Sequence, residues 1–247
     1  MAERTAEDLT VGWSYGTLAC HNRAPMTKPL DRAQRKHLAH SYPHNHDYRI
    51  IGSRMVPSWK LWRREGRLRA LYPRAPRSLV DLASCKGWFV LQAARAGCPR
   101  ALGLDVYRPD LDASRAAASH LTIDATFEER RLDDLVTDVE SGAPPFEVAL
   151  LVNAYQYFYF GSDRDERAVL DHRVLFKRMR RVCEGRLIFS NRIDLERLPD
   201  GVQERAARLD AADGYHAQAV RDAAEEFFRV EEHPPLGRIP LWVLHAR

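Results

Sequence analysis

Apolar positions along the chain fall into two spacings that alternate. Ser78-Leu79-Val80-Asp81-Leu82-Ala83, Ala101-Leu102-Gly103-Leu104-Asp105-Val106, Phe146-Glu147-Val148-Ala149-Leu150-Leu151-Val152 and Arg186-Leu187-Ile188-Phe189-Ser190 are short, nearly continuous apolar runs. Runs of that length bounded by turn residues predict strands buried on both faces. The intervening stretches follow a helical period. Helices are predicted over Lys86–Gly97, where Gly97 and Cys98-Pro99 give the stop signal, and over Pro109–Ser119. Two more are predicted over 166–183, with Leu170, Val174, Leu175, Met179 and Val182 on one stripe, and over 202–225. The last two strand-like runs, Phe227–His233 and Ile239–His245, are separated only by Pro234-Pro235-Leu236-Gly237-Arg238. That link is too short for a crossover helix, so these strands must be antiparallel. The alternation therefore predicts an α/β fold: a doubly wound, mostly parallel sheet ending in an antiparallel hairpin.

Upstream of Ser78 the order is lost. Residues 1–50 carry Gly12, Gly16, Pro25, Pro29 and Pro43 without sustained periodicity. They read as an irregular arm with one short helix near Asp31–Ala39, capped by Asp31. A helix from Pro57 to Leu71 follows. The chain thus divides into an N-terminal arm or lid, 1–54, and a main domain, 55–247.

Composition narrows the class. Hydrophobic residues are 45% and charged residues 29% of 247, a globular balance that excludes disordered and collagen-like chains. No apolar run reaches the ~20 residues of a membrane span, and the polar start Met-Ala-Glu-Arg-Thr-Ala-Glu-Asp does not read as a secretory leader. Cys20, Cys85, Cys98 and Cys183 lack CxxC spacing, so free thiols in a reducing cytoplasm are expected. The net charge of +4 is uneven: residues 1–77 hold 15 Lys+Arg against 6 Asp+Glu, and the remainder 23 against 28. The basic half is densest in Trp59-Lys60-Leu61-Trp62-Arg63-Arg64-Glu65-Gly66-Arg67-Leu68-Arg69. This stretch reads as an amphipathic helix that packs Trp59, Leu61, Trp62 and Leu68 on the main body while its cations attract an anion. His21, His37, His40, His44 and His46 lie in the same half. Their spacing matches no usual zinc signature, so no metal is assigned and the arm histidines read as lining a substrate entrance.

The chemistry is expected at the carboxyl ends of the strands. Asp81-Leu82-Ala83-Ser84-Cys85-Lys86-Gly87 joins the first strand to its helix through small residues, and Asp105 ends the next strand 24 positions after Asp81. Small side chains let a ligand approach the backbone, and a strand-end carboxylate can bind both hydroxyls of a ribose. Val80–Gly87 followed by Gly103-Leu104-Asp105-Val106 resembles the first two motifs of the class I S-adenosylmethionine-dependent methyltransferases. Asp81 and Gly87 match the acid-x-Gly-x-Gly-x-Gly loop, while Ala83 and Cys85 stand where the family has glycine. The terminal hairpin is similar to that family's antiparallel seventh strand, and the resemblance spans roughly 55–247.

The resemblance implies a seven-stranded Rossmann-like methyltransferase fold and S-adenosylmethionine as cofactor. It assigns Asp81 and the backbone of Ala83, Ser84, Cys85 and Gly87 to the methionine part, Asp105 to the ribose, and Val106 to the adenine face. Asp133 or Asp134 would reach the adenine amine, and Lys60 would meet the cofactor carboxylate. Asn153, at the end of Phe146–Val152, would face cofactor and acceptor together, with Tyr155 and Tyr157 as further catalytic candidates. Asn153 lacks the two prolines of the nucleic-acid amino-methyltransferase motif, so that assignment is not made. For a hydroxyl acceptor the base would be His172, Tyr155, Tyr157 or an arm histidine. Cys85 reads as packing rather than nucleophilic. The expected activity is methyl transfer to an oxygen or nitrogen of a small, anionic metabolite. The alternative is an RNA methyltransferase docking through the basic half, and a silent or nicotinamide-binding relative is the third reading. No membrane partner is expected, and a homo-oligomer is left open.

Overall fold

A computed structural model describes residues 29–247. Its elements in chain order are α1 (Arg32–His40), β1 (Tyr48–Ile51), β2 (Arg54–Pro57), α2 (Trp59–Leu68), β3 (Leu79–Asp81), α3 (Trp88–Arg95) and β4 (Ala101–Asp105). There follow α4 (Arg108–Leu121), β5 (Thr126–Glu129), α5 (Leu132–Glu140), β6 (Phe146–Val152), α6 (Tyr155–Phe160) and α7 (His172–Val182). The chain finishes with β7 (Cys183–Ser190), α8 (Asp200–Arg208), α9 (Ala217–Phe227), β8 (Phe228–Leu236) and β9 (Ile239–Ala246).

β3 to β9 form one sheet in the order β5-β4-β3-β6-β7-β9-β8. Neighbours from β5 to β7 are parallel, and β9 runs antiparallel to both β7 and β8. The chain winds outward from β3 to β5, then returns to place β6 on the other side of β3. The order therefore reverses between β3 and β6, and the crevice above their carboxyl ends is where such sheets bind ligands. The near-continuous apolar runs have a simple cause. In β6, Val148, Leu150 and Val152 pack with Trp88, Leu91 and Leu111 on one face, while Ala149 and Leu151 pack with Phe176 and Met179 on the other. A strand covered on both faces loses the polar alternation of an exposed one.

Several sequence expectations need correction. β5 has only Phe127 buried and sits at the sheet edge, so no apolar pattern announces it. The helix expected over 166–183 begins only at His172, where the Asp171 carboxylate caps it by accepting the Val174 amide at 3.1 Å. The helix expected over 202–225 is two, α8 and α9, with Asp210 in the left-handed region (φ 50°) just after the first. The arm is not irregular throughout: β1 and β2 pair antiparallel around Gly52. Cys20, His21, Gly12, Gly16 and Pro25 lie outside the described residues.

α2 buries Leu61 and Leu68 completely, but Trp59 and Trp62 do not pack on the body. They stack on each other at 4.8 Å and are 66% and 54% exposed. Among the described residues no helix is long and apolar enough to cross a membrane. The arm is fastened to the sheet through Lys86. Its side chain is fully buried, and its Nζ donates to the Ser41 carbonyl at 2.7 Å and pairs with the Asp47 carboxylate. The Tyr48 hydroxyl donates to the Lys86 carbonyl at 2.8 Å.

Candidate active site

A cleft of about 710 Å³ opens above the carboxyl ends of β3, β4 and β6. The loop after β3 forms its floor. Cys85 adopts φ 49° and Gly87 φ 72°, two left-handed residues that turn the chain sharply into α3. A side chain at Gly87 is excluded on two counts, since its Cβ would lie 2.5 Å from the Phe127 ring in a conformation that favours glycine. As a non-glycine residue, Cys85 holds this conformation at a cost of about 1–2 kcal/mol. Its amide donates to Asp105 Oδ2 at 2.8 Å and its thiol to Asp110 Oδ2 at 3.3 Å. Burial, then the charges of Asp110 and Asp105, push the Cys85 thiol well above its usual range. That shift disfavours the thiolate a nucleophile needs.

Asp105 is the central acid. Its Oδ1 accepts the Tyr107 amide at 2.9 Å, and each carboxylate oxygen retains lone-pair capacity toward the cleft. Burial raises its pKa, with the Tyr107 and Cys85 amides opposing the shift. Asp81 lies beneath the loop rather than in the cleft: it is 3% exposed and accepts the Ala83 amide at 3.3 Å. Burial, reinforced by Asp105, pushes it up to about 7.

Of the residues singled out in the sequence, Ala83, Cys85, Asp105, Val106, Asp133, Asn153, Tyr157 and Lys60 line one cleft. Asp81, Ser84, Gly87, Asp134 and Tyr155 do not. Ser84 and Gly87 form the underside of the loop. Asp134 caps α5, its carboxylate accepting the Arg131 amide at 2.9 Å, so Asp133 is the member of that pair at the cleft.

The largest correction concerns Tyr155. It is fully buried in an aromatic cluster with His172, Phe176, Phe189 and Tyr215. Its hydroxyl donates to His172 Nδ1 at 2.7 Å, because His172 Nε2 gives its proton to the Gly214 carbonyl at 3.0 Å. Burial lowers His172 to about 4, so the pair is a neutral core bond rather than a base.

Sequence reasoning missed the support beneath Asn153. Asn191, wholly buried after β7, accepts the Ala154 and Tyr155 amides at 2.8 and 3.0 Å and donates to the Leu151 carbonyl at 2.8 Å. These bonds hold the turn on which Asn153 sits at φ 62°, a region that asparagine tolerates better than most residues. The arginines of the cleft were missed as well: Arg130, Arg131, Arg164, Arg167, Arg178, Arg192 and Arg205 all line it. They are scattered over 76 positions of sequence and converge only on folding.

Comparison with solved structures agrees with this layout. The PH0226 protein from Pyrococcus horikoshii OT3 superposes with a TM-score of 0.55 at 17% identity, covering 77% of this chain and 92% of that one. Monomeric WbdD, described elsewhere as a bifunctional kinase-methyltransferase, superposes with a TM-score of 0.51 at 16% identity over 74% of this chain. The likeness is one of fold: a Rossmann-like, mostly parallel seven-stranded sheet ending in an antiparallel hairpin. This chain spans only 39% of the WbdD chain. No protein-family model and no curated protein sequence matches it.

Proposed function

We propose that this chain is an S-adenosylmethionine-dependent methyltransferase that methylates an oxygen or nitrogen of a small metabolite. The observation that carries this reading is Asp105: a carboxylate at the tip of β4, tied to the left-handed loop after β3, facing the switch-point cleft. The donor set fits the cofactor. Asp105 would hold the ribose hydroxyls, Val106 would pack on adenine, and Asp133 would accept from the adenine amine. The backbone of Ala83 to Cys85 and the Lys60 ammonium would face the methionine part. A volume of about 710 Å³ lies within the range of roughly 300–1,000 Å³ typical of small-molecule sites.

When bound, S-adenosylmethionine supplies a methyl carbon already activated by its sulfonium. The task left to the chain is alignment of the acceptor and exclusion of water. Arm residues Tyr42 to His46 line the cleft opposite the sheet and serve as its cover. Tyr157 stays protonated, since burial raises its pKa, so it orients the acceptor rather than deprotonating it. His44 is the arm histidine suited to removing a proton. Its Nδ1 faces Asp47 Oδ2 at 3.1 Å, which leaves Nε2 to act as the base.

Calorimetric titration with S-adenosylhomocysteine tests the reading, together with mass spectrometry of natively purified protein for retained cofactor. Saturable binding at one site is expected. Absence of binding, or preference for a nicotinamide dinucleotide, would overturn it.

A further inference from the structure

The arginines of the cleft differ in one respect. Arg130, Arg131, Arg164, Arg178 and Arg205 each face a carboxylate at 2.7–3.8 Å. Arg167 and Arg192 make no such ion pair, but Arg167 sits beside Asp165, whose Oδ1 accepts its backbone amide at 3.4 Å. Among the described residues the Arg192 side chain has no acidic partner, and its Nη1 donates to Asn153 Oδ1 at 3.2 Å. Its backbone is fixed by the Tyr215 hydroxyl, which donates to the Arg192 carbonyl at 2.7 Å. Arg64, arriving from α2, is also unpaired by any described acid. Its Nη1 donates at 3.1 Å to Nε2 of His46, a cleft-lining residue.

The two guanidinium groups converge on one cleft, each bonding a residue that lines it, His46 for Arg64 and Asn153 for Arg192. Burial first, and then the charge of Arg192, lower Arg64 to about 10. A guanidinium can only donate, so His46 Nε2 is the accepting nitrogen of a neutral ring, and burial, Arg64 and Lys86 all lower its pKa. Two partly buried cations at one cleft without a counter-ion are unfavourable for folding, and the arrangement makes sense if the counter-ion is a ligand.

A second observation lies beside the pair. Gln156 is 1% exposed, lines the cleft, and its Oε1 has no hydrogen-bond partner. The amide orientation is fixed because Nε2 must donate to the Asn153 carbonyl at 3.0 Å. Oε1 therefore awaits a donor from outside the chain. Asn153 links the two features, bonding Gln156 through its carbonyl and Arg192 through its side chain.

Building on the methyltransferase reading, we propose that Arg64 and Arg192 form a receptor for one carboxylate or phosphate of the methyl acceptor, whose hydroxyl or amine donates to Gln156 Oε1. Arginine suits this task because its planar fork matches both oxyanions. The acceptor class is thus a small hydroxy or amino acid, or its phosphorylated equivalent.

The test is calorimetric titration of the full chain with inorganic phosphate and with succinate at low ionic strength, with and without saturating S-adenosylhomocysteine. Wild type should bind one of these anions at a single site. Arg64→Gln and Arg192→Gln should each weaken that binding more than tenfold, Arg64→Lys and Arg192→Lys should retain part of it, and affinity for S-adenosylhomocysteine should stay within threefold. Because no acid is left stranded, the melting temperature of both glutamine variants should be unchanged or higher. Loss of more than 5 °C would assign the pair to folding and overturn the proposal. So would the absence of saturable anion binding in wild type. If the variants lose S-adenosylhomocysteine and keep the anion, the pair holds the cofactor's own carboxylate and the proposal also falls. Failure of wild type to bind S-adenosylhomocysteine would sink the methyltransferase reading instead, while the anion titration on the same sample still decides the receptor.

Discussion

Replacing Asp105 by alanine removes two structural bonds and the proposed ribose contact together. Oδ2 accepts the Cys85 amide at 2.8 Å and Oδ1 the Tyr107 amide at 2.9 Å. The first of these helps hold Cys85 in its left-handed conformation. Cys85 lines a cleft that water can enter and Tyr107 is only half-buried, so the stability loss should be about 1–3 kcal/mol rather than global unfolding. For the ligand, two bonds from hydroxyls to a charged acceptor are lost, each worth about 1.5–3 kcal/mol when desolvated. At about 1.4 kcal/mol per decade, affinity for S-adenosylhomocysteine should fall roughly a hundred- to ten-thousandfold. Asp105→Asn keeps one acceptor oxygen but turns an NH₂ group toward an amide, so it should fall between alanine and wild type in both respects. Calorimetric titration and differential scanning calorimetry on the same samples separate the two effects. An unchanged dissociation constant in a folded Asp105→Ala protein would refute the ribose assignment.

Other substitutions test the surrounding framework. Lys86→Met strands the Asp47 carboxylate in a largely buried site and should cost about 3–5 kcal/mol by denaturant unfolding, with Lys86→Met/Asp47→Asn recovering much of the loss. Tyr155→Phe leaves His172 Nδ1 without its donor and should cost about 1–3 kcal/mol. It should leave affinity for S-adenosylhomocysteine unchanged, and a tenfold change would return Tyr155 to the site. Asp81 supplies a pH signature. Its folded pKa of about 7 lies above its ordinary 3.8, so between those values the folded state holds the extra proton. Its contribution is complete below about pH 4 and disappears as pH rises through 7, by up to about 4 kcal/mol. Melting curves from pH 5 to 8 should show wild type losing ground to Asp81→Asn as pH rises, and parallel curves would show that Asp81 is ordinarily ionised.

The readings that succeeded rest on local information. A strand buried on both faces must be apolar along its length, so β3, β4, β6 and β7 could be read from their runs, and the five-residue link before Ile239 required an antiparallel hairpin. Asp81 and Asp105 were placed at strand ends by position alone. The failures occurred where the local signal pointed elsewhere or was missing. The helical stripe starts too early, at Leu170, which is an exposed loop residue in the left-handed region (φ 54°) just before the helix. Trp59 and Trp62 suggested packing from hydrophobicity, but only Leu61 and Leu68 of α2 face inward.

Amino-acid order alone thus specified the sheet class, the tight bend after β3 and the acid at the tip of β4, because each depends on neighbouring residues and a fixed strand period. Tertiary structure decided which side chains share the cleft. It sent Tyr155 into the core and brought Arg64 and Arg192, 128 positions apart, to one cleft through His46 and Asn153. It also left Gln156 with an unsatisfied oxygen. No spacing rule encodes such proximity: burial and charge pairing are set by what distant segments bring together, and only the folded chain does that.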